Sequence, residues 1–267
     1  MEFLLSQRES PRLEWRDTAG STNADLIALA TSEALPNFTV LATDSQTQGR
    51  GRLDRVWVTP PGRALAISVL LRPELSANQS TQALGWIPLL AGLSVAEALD
   101  ELFPGDGYVS VKWPNDVLIG GLKVSGVLSE LLPDSSNVVL GAGINVLQNA
   151  DELPVPTATS LALAGARLPA NSDAALDLVL STYLARLKHW FGRFNDHGLN
   201  AETSGLRAAV LAKCSTIGAV VSAQLPSGTE LIGRATGIDT LGRLELEVSG
   251  KPVAVAAGDI VHLRPAQ

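Results

Sequence analysis

The nonapeptide Gly49-Arg50-Gly51-Arg52-Leu53-Asp54-Arg55-Val56-Trp57 combines three arginines, two glycines and an indole. It is a poor fit to a protein core, because arginine is rarely buried unpaired and glycine weakens both helices and strands. We predict a cationic loop, called the arginine loop below (residues 49–57), whose backbone approaches a ligand closely. Its guanidinium groups suit phosphate or carboxylate, and the indole suits a planar ring. A solvated basic loop between two strands is the alternative that this stretch alone leaves open.

The composition is that of a globular protein with a sizeable core. Of the 267 residues, 46% are hydrophobic and 18% charged, and the formal net charge is -7. An acidic chain is a poor partner for sequence-independent binding to nucleic acid, so we expect none. The single cysteine, Cys214, excludes an intrachain disulfide and a thiolate-rich zinc site, and the histidines lack metal-ligand spacing. Without a signal-peptide pattern or a membrane-length apolar run, a cytoplasmic protein with no membrane contact is expected.

Apolar periodicity predicts strands and helices in alternation up to residue 213. The predicted strands are 13–15, 38–43, 64–71, 108–111, 117–119, 122–132 and 138–146. The predicted helices are 26–30, 88–103, 173–194 and 206–213. Four short β segments then follow, at 219–224, 231–238, 244–248 and 253–256. We predict an α+β fold: a mixed β-sheet with packed helices over residues 13–213, then a small SH3-like β-barrel at 214–267. Residues before about Arg12 are predicted to be a poorly ordered lead-in.

The start of the first predicted helix is a further polar group. Thr22 and Asp25 form a capping-box-like pattern after Ser21, and capping alone explains Ser21, Thr22 and Asn23. The first turn of a helix also presents free backbone N–H donors, which makes it a natural place to hold a polar ligand group.

Two more polar groups follow predicted strands or turns, where sites of this fold class are commonly built. They are Lys112-Trp113-Pro114-Asn115-Asp116 with the nearby Lys123, and Gly141-Ala142-Gly143-Ile144-Asn145. Taken alone, Lys112 is better explained as an exposed charge beside a turn, and Lys123 as an exposed lysine of a hairpin. Common nucleotide motifs are absent: Val146 occupies the third glycine position of a dinucleotide fingerprint, and the chain has no Walker sequence.

These motifs, in this order and at these separations, together resemble a biotin protein ligase (biotin–acetyl-CoA-carboxylase ligase). The resemblance extends from about residue 13 to residue 267. It implies a catalytic domain like those of class II aminoacyl-tRNA synthetases and biotin ligases. It also implies that biotin is activated with ATP and Mg²⁺ to biotinyl-5′-AMP and passed to one lysine of a biotin carboxyl carrier domain. We expect a monomer or a weak homodimer.

The resemblance also implies roles for particular residues. The biotin-binding set is Ser21, Thr22, Asn23, Gln46, Arg50, Gly51, Arg52 and Lys123. The ATP- and adenylate-binding set is Arg52, Arg55, Trp57, Asn115, Lys123 and Asn145. The catalytic set is Lys123, Arg52, Asp116 and Lys112, and Asp116 is also the candidate ligand of Mg²⁺.

Two features depart from the family pattern. Asp54 stands where the family usually carries glycine, and it is placed to pair with Arg52 or Arg55. Only about a dozen residues precede the catalytic part, too few for the DNA-binding domain of many members, so we expect a ligase without repressor function. The alternatives are a lipoate ligase or octanoyl transferase of related fold, and a non-catalytic module that holds nucleotide or carrier.

Overall fold

The computed structural model describes residues 3–52, 55–75, 81–105, 107–134, 136–225, 228–256 and 259–262. Its helices are α1 (Thr22–Ser32), α2 (Ile87–Asp100), α3 (Ser172–Asp196) and α4 (Leu206–Lys213). Its first strands are β1 (Leu13–Trp15), β2 (Val40–Thr43), β3 (Ala64–Leu71), β4 (Val109–Lys112), β5 (Asp116–Ile119), β6 (Leu122–Leu131) and β7 (Val138–Asn145). The later strands are β8 (Val220–Gln224), β9 (Glu230–Ile238), β10 (Leu244–Val248), β11 (Lys251–Val255) and β12 (Asp259–His262).

The first seven strands form one mixed sheet in the order β1-β2-β3-β7-β6-β5-β4. Only β1 and β2 run parallel, and the other neighbours are antiparallel. All eight residues of β3 are buried, as expected for an unbroken apolar strand covered on both faces. It pairs with β7 along its full length, so β3 and β7 form the middle of the sheet. The predicted mixed sheet is confirmed.

Helices α2 and α3 cover one face of the sheet and pack on each other. Helix α2 begins beside Pro88, which the first helical turn tolerates, and most of its residues are buried. Helix α3 is capped by Asn171, whose side chain accepts a hydrogen bond from the backbone N–H of Ala174, as predicted. The stretch Thr81–Asp100 is long and apolar enough to cross a membrane, yet 72% of its most apolar window is buried inside the protein. That burial is typical of a core helix.

The described part of the lead-in, residues 3–11, is anchored to the rest of the protein, so the prediction of a poorly ordered segment is wrong there. Ser6 donates its backbone N–H to the carboxylate of Asp177 on α3 at 2.9 Å, and the Leu5 N–H contacts the other carboxylate oxygen at 3.0 Å. Phe3 is buried and stacks on Trp15 with ring centroids 4.0 Å apart. No local pattern predicts this anchor, because Asp177 lies 171 residues from Ser6 along the chain.

The last five strands form a separate antiparallel sheet in the order β11-β10-β9-β8-β12. This confirms the predicted small all-β unit and adds one strand, β12, that was not predicted. The division into domains at residues 13–213 and 214–267 stays a prediction. The two sheets are joined by a pair of buried indoles: Trp86 donates to the Thr240 carbonyl at 2.9 Å, and Trp113 donates to the Gly242 carbonyl at 3.0 Å.

Candidate active site

A cavity of about 760 Å³ opens between the middle strands of the large sheet, the start of α1 and the arginine loop. Its volume lies in the range of small-molecule sites. All fourteen predicted site residues line it: Ser21, Thr22, Asn23, Gln46, Arg50, Gly51, Arg52, Arg55, Trp57, Lys112, Asn115, Asp116, Lys123 and Asn145. The structure therefore brings together residues that are separated by up to 124 positions in the sequence.

The start of α1 forms one end of the cavity, but its cap differs from the prediction. The helix begins at Thr22 with Ser21 in the extended N-cap position, and no side chain caps it. Instead Gln46 accepts hydrogen bonds from the Thr22 N–H at 2.9 Å and the Thr22 hydroxyl at 3.2 Å. A distant glutamine thus occupies the place of a capping side chain, and it lies between the helix and the cavity.

Asn23 is held by three partners from other elements. Its amide nitrogen donates to the Leu128 carbonyl at 3.2 Å and to the Glu130 carboxylate at 2.7 Å. Its oxygen accepts from the Ser68 hydroxyl at 2.6 Å. The amide also covers Gly141, where a Cβ atom would lie 2.5 Å from the Asn23 oxygen. Asn23 therefore fastens α1 to the sheet as well as lining the cavity.

The two described parts of the arginine loop, 49–52 and 55–57, are joined by backbone hydrogen bonds. The Trp57 N–H donates to the Gly49 carbonyl at 3.0 Å, and the Gly51 N–H donates to the Arg55 carbonyl at 2.6 Å. Residue 49 must be glycine here, since a Cβ would lie 2.1 Å from the Trp57 carbonyl oxygen. The predicted pairing of Asp54 with an arginine lies outside the described residues.

Two arginines of the loop bind side chains of other parts of the protein. Arg50 contacts the Glu130 carboxylate at 3.2 Å, through a guanidinium that is about half exposed. Arg52 donates to the Asn115 side-chain oxygen at 3.0 Å. Such partly exposed contacts are weak individually, so the loop is placed over the cavity without being locked there.

The Trp57 indole lies on two glycines of the sheet. Gly126 of β6 and Gly143 of β7 are paired neighbours. A Cβ on Gly143 would lie 2.2 Å from the indole, and one on Gly126 would lie 3.3 Å from it. The indole N–H is buried and has no hydrogen-bond partner among the described residues. The glycine pair therefore makes a flat platform for an aromatic group.

A cluster of charge lies beside this platform. The Lys123 ammonium is 2.6 Å from an Asp116 carboxylate oxygen and 5.7 Å from the Trp57 ring centroid. Lys112 lies opposite Asp116 in the β4–β5 ladder. Within the described part of the chain, Lys112 has no ion-pair partner. One carboxylate thus stands between two lysines, an arrangement suited to hold anionic groups nearby.

Asn115 and Asn145 are tied into the protein by both ends of their amides. Asn115 donates to the Val127 carbonyl at 2.9 Å, in addition to accepting from Arg52. Asn145 donates to the Thr159 carbonyl and accepts from the Gln148 amide, each at 2.9 Å. Asn23, Asn115 and Asn145 are called the cavity floor below, since each is fixed by internal hydrogen bonds.

Sequence reasoning missed two residues of this region. Glu130 touches both Asn23 and Arg50, although its position near the end of a strand resembles that of any solvated glutamate. Trp113 lies inside a recognised motif, but its partner Gly242 is 129 residues away.

Cys214 stays an inert packing residue, because burial raises the pKa of its thiol.

The described side chains of the cavity offer few ligands for a metal ion. No group of three or more His, Cys, Asp or Glu side chains that could hold a metal occurs among the residues that the structure describes. Among the residues that the structure describes, Asp116 is the only carboxylate that lines the cavity. A lone carboxylate fits Mg²⁺ that arrives with nucleotide phosphates, because such ions keep several oxygen ligands from substrate and water.

Comparison with known proteins shows that this chain is similar to a class of protein ligases. The model of the Biotin/lipoate A/B protein ligase family matches residues 18–145. The solved biotin protein ligase from Aquifex aeolicus in complex with biotin and ATP superposes with a TM-score of 0.71 at 28% identity. That match covers 95% of this chain and 99% of the other.

Two curated relatives narrow the assignment. The biotin–[acetyl-CoA-carboxylase] ligase of Mycobacterium tuberculosis is 40% identical over 246 residues, covering 92% of this chain and 86% of the relative. The bifunctional ligase/repressor BirA of Bacillus subtilis is 30% identical over 255 residues, covering 93% and 73%. The chain belongs to the biotin protein ligase family.

Proposed function

We propose that this chain activates biotin with ATP to biotinyl-5′-AMP, releasing pyrophosphate, and then transfers biotin to a lysine of a biotin carboxyl carrier protein. The observation that carries this proposal is the single cavity lined by all fourteen expected residues. The relatives named above support the same reaction, since their names state the ligase activity or the bound biotin and ATP.

The start of α1 is the proposed place for the biotin ring. The ureido group of biotin has both donors and acceptors, and Ser21, Thr22 and Gln46 present hydroxyl, amide and backbone groups at that end of the cavity. A plain acyl chain offers nothing for these polar groups to bind. This end of the cavity is therefore better suited to biotin than to octanoate.

The charged cluster and the arginine loop are the proposed place for the reacting groups. The biotin carboxylate oxygen attacks the α-phosphorus of ATP, and the bond to the pyrophosphate leaving group breaks. Arg52 and Lys123 would stabilise the negative charge that gathers there, with Lys112 nearby. Mg²⁺ bound with ATP would neutralise phosphate charge, with Asp116 as its candidate protein ligand.

The Trp57 indole, which rests on the glycine platform, is the proposed place for adenine. Arg55, Asn115 and Asn145 would bind other parts of the nucleotide. An indole offers a face on which a purine ring stacks. In the second step the neutral amine of the carrier lysine attacks the acyl carbon, and AMP leaves. Asp116 would accept the amine proton. Arg50 and Gly51 would cover the intermediate and keep water from hydrolysing it.

The carrier, the assembly and the compartment are proposed only in outline. The proposed reaction needs a carrier domain with an exposed lysine. We propose a monomer or weak homodimer that acts in the cytoplasm and uses neither nucleic acid nor a membrane.

The test is calorimetric titration of biotin into the purified protein, followed by ATP–Mg²⁺ with pyrophosphate release recorded. Biotin binding and biotin-dependent pyrophosphate release are expected. Lipoate and octanoate serve as matched probes, and binding of either in place of biotin would contradict the proposal. Addition of a carrier domain, with its lysine replaced by arginine as control, then tests the transfer step.

A further inference from the structure

We propose that Glu130 is a positioning residue that holds the arginine loop against the start of α1 and thereby retains the activated biotin. The proposal rests on the proposed function and names an additional residue for the same site. Glu130 lies near the end of β6 and is not among the residues lining the main cavity. It acts through its neighbours.

One carboxylate oxygen of Glu130 serves two residues that do line the cavity. It accepts from the Asn23 amide at 2.7 Å and from the Arg50 guanidinium at 3.2 Å. Asn23 belongs to α1, and Arg50 belongs to the arginine loop. Glu130 is thus the point at which the loop and the helix start are tied to the same strand.

The surroundings of Glu130 suit a contact that opens and closes. A second cavity, of about 580 Å³, lies on the other side of the arginine loop and is lined by Arg50, Leu128 and Glu130 among others. The Glu130 side chain is 25% exposed and that of Arg50 48% exposed. Solvent therefore screens the ion pair, which makes it weak enough for the loop to release product.

The Asn23 contact fixes the direction of the glutamate. Asn23 is 4% exposed and is also bonded to Ser68 and Leu128, so its amide cannot turn away. It therefore holds the shared oxygen of Glu130 in the position that Arg50 meets. The buried Asn23 amide orients the Glu130 carboxylate, and the half-exposed Arg50 guanidinium binds it.

Glu130→Gln separates the two contacts. The glutamine oxygen still accepts from Asn23, but the charge that attracts Arg50 is lost. Glu101→Gln is the matched control, because Glu101 also pairs with an arginine, Arg186, on the surface of the helices. Two rates are measured with the full chain: escape of biotinyl-5′-AMP relative to its formation in a single turnover, and tryptic cleavage without ligand after Arg52 and Arg55, the two loop arginines that every variant keeps.

We expect Glu130→Gln to raise both the relative escape of biotinyl-5′-AMP and the loop cleavage by about twofold to fivefold, the range of a screened ion pair. Glu101→Gln should change neither. Arg50→Gln should raise both by a similar factor, and the double variant should exceed neither single variant. Additive effects in the double variant, or equal behaviour of the two glutamate variants, would overturn the proposal.

The two proposals fail in different ways. A wild-type protein that forms no biotinyl-5′-AMP would refute the proposed function. The cleavage comparison needs no ligand, so it still tests whether Glu130 holds the loop. Normal adenylate formation with unchanged escape and cleavage in Glu130→Gln would refute the role of Glu130 alone.

Discussion

The cavity floor and the arginine loop present similar polar chemistry to the same space, yet they are held in opposite ways. Each floor asparagine donates its side-chain amide to a main-chain carbonyl of another segment: Asn23 to Leu128, Asn115 to Val127 and Asn145 to Thr159. The loop is held by Arg50 and Arg52 through partly exposed contacts and by an indole resting on glycines. The comparison teaches that lining a site does not reveal what a residue contributes. Floor residues should carry stability, and loop residues should carry retention of the ligand.

Lys123→Ala is expected to have the largest effect on activity. Removing the ammonium beside Asp116 takes away charge stabilisation where the phosphate would react, and kcat/KM for biotin-dependent pyrophosphate release should fall about 10²-fold or more. The melting temperature should change little, since the side chain is partly exposed. Lys188→Ala, an exposed lysine on α3, is the matched control. Near-wild-type turnover of Lys123→Ala would remove Lys123 from the site.

Asn23→Ala should have the largest effect on stability. It leaves the buried Ser68 hydroxyl and the Leu128 carbonyl without their partner, and the free energy of unfolding should fall by about 2–4 kcal/mol. Denaturant unfolding measures this. Asn37→Ala is the control, because Asn37 is exposed and makes a single hydrogen bond to a backbone N–H. Equal losses in the two variants would contradict the distinction between floor and surface.

Arg52→Gly should weaken retention of the activated biotin with little effect on stability, the reverse of Asn23→Ala. The loop loses its contact with Asn115, and escape of activated biotin, measured as labelling of an added bystander protein, should rise about tenfold. The free energy of unfolding should stay close to that of wild type. Arg52→Lys, which keeps the charge but not the forked geometry, should fall between them. An absence of stray labelling would show that Arg52 does not retain the intermediate.

Asp239→Asn gives the smallest expected effect and tests a region that is as well bonded as the floor but does not line the cavity. Burial alone would raise the pKa of Asp239, but hydrogen bonds from the N–H groups of Arg243 and Leu241 and from the Arg243 side chain outweigh it and lower the pKa. The ionised form is therefore favoured by folding. The carboxylate contributes stability at neutral pH, and this contribution is lost as pH falls through the lowered pKa.

The measurement is the free energy of unfolding of wild type and Asp239→Asn between pH 7 and pH 3. The variant should be less stable by about 1 kcal/mol at pH 7, and the difference should shrink below about pH 4. Pyrophosphate release should be unchanged. A difference that grows as the pH falls would contradict the direction of the pKa shift.

Much of the fold was readable from the sequence, because its signals are local. The buried strand Ala64–Leu71 and the helix Leu206–Lys213 have the predicted bounds, since each is marked by an apolar run or period with clear ends. The strand Asp259–His262 was missed because four residues carry no period, and its pairing partner is a distant strand. The ordered lead-in was missed for the same reason, since its anchor Asp177 lies on α3.

The site could be predicted as a set of residues but not as a set of contacts. The motifs identified fourteen candidate residues, and all fourteen line one cavity in the structure. The bonds of Asn23 to Ser68 and Glu130 span 45 and 107 residues, and no local pattern encodes them. The capping role given to Thr22 was wrong because Gln46, from another segment, satisfies its N–H. Individual roles in binding and catalysis stay predictions.

The two buried indoles that join the sheets have a consequence for how the protein is taken apart. Trp86 and Trp113 both belong to the half of the chain that carries the cavity, yet their N–H groups end on carbonyls of one turn in the small sheet. Separating the sheets would break both hydrogen bonds and expose two buried indoles to water, a cost that neither half recovers alone. Heating should therefore unfold both sheets in one cooperative transition. The small sheet is thus part of what stabilises the larger one.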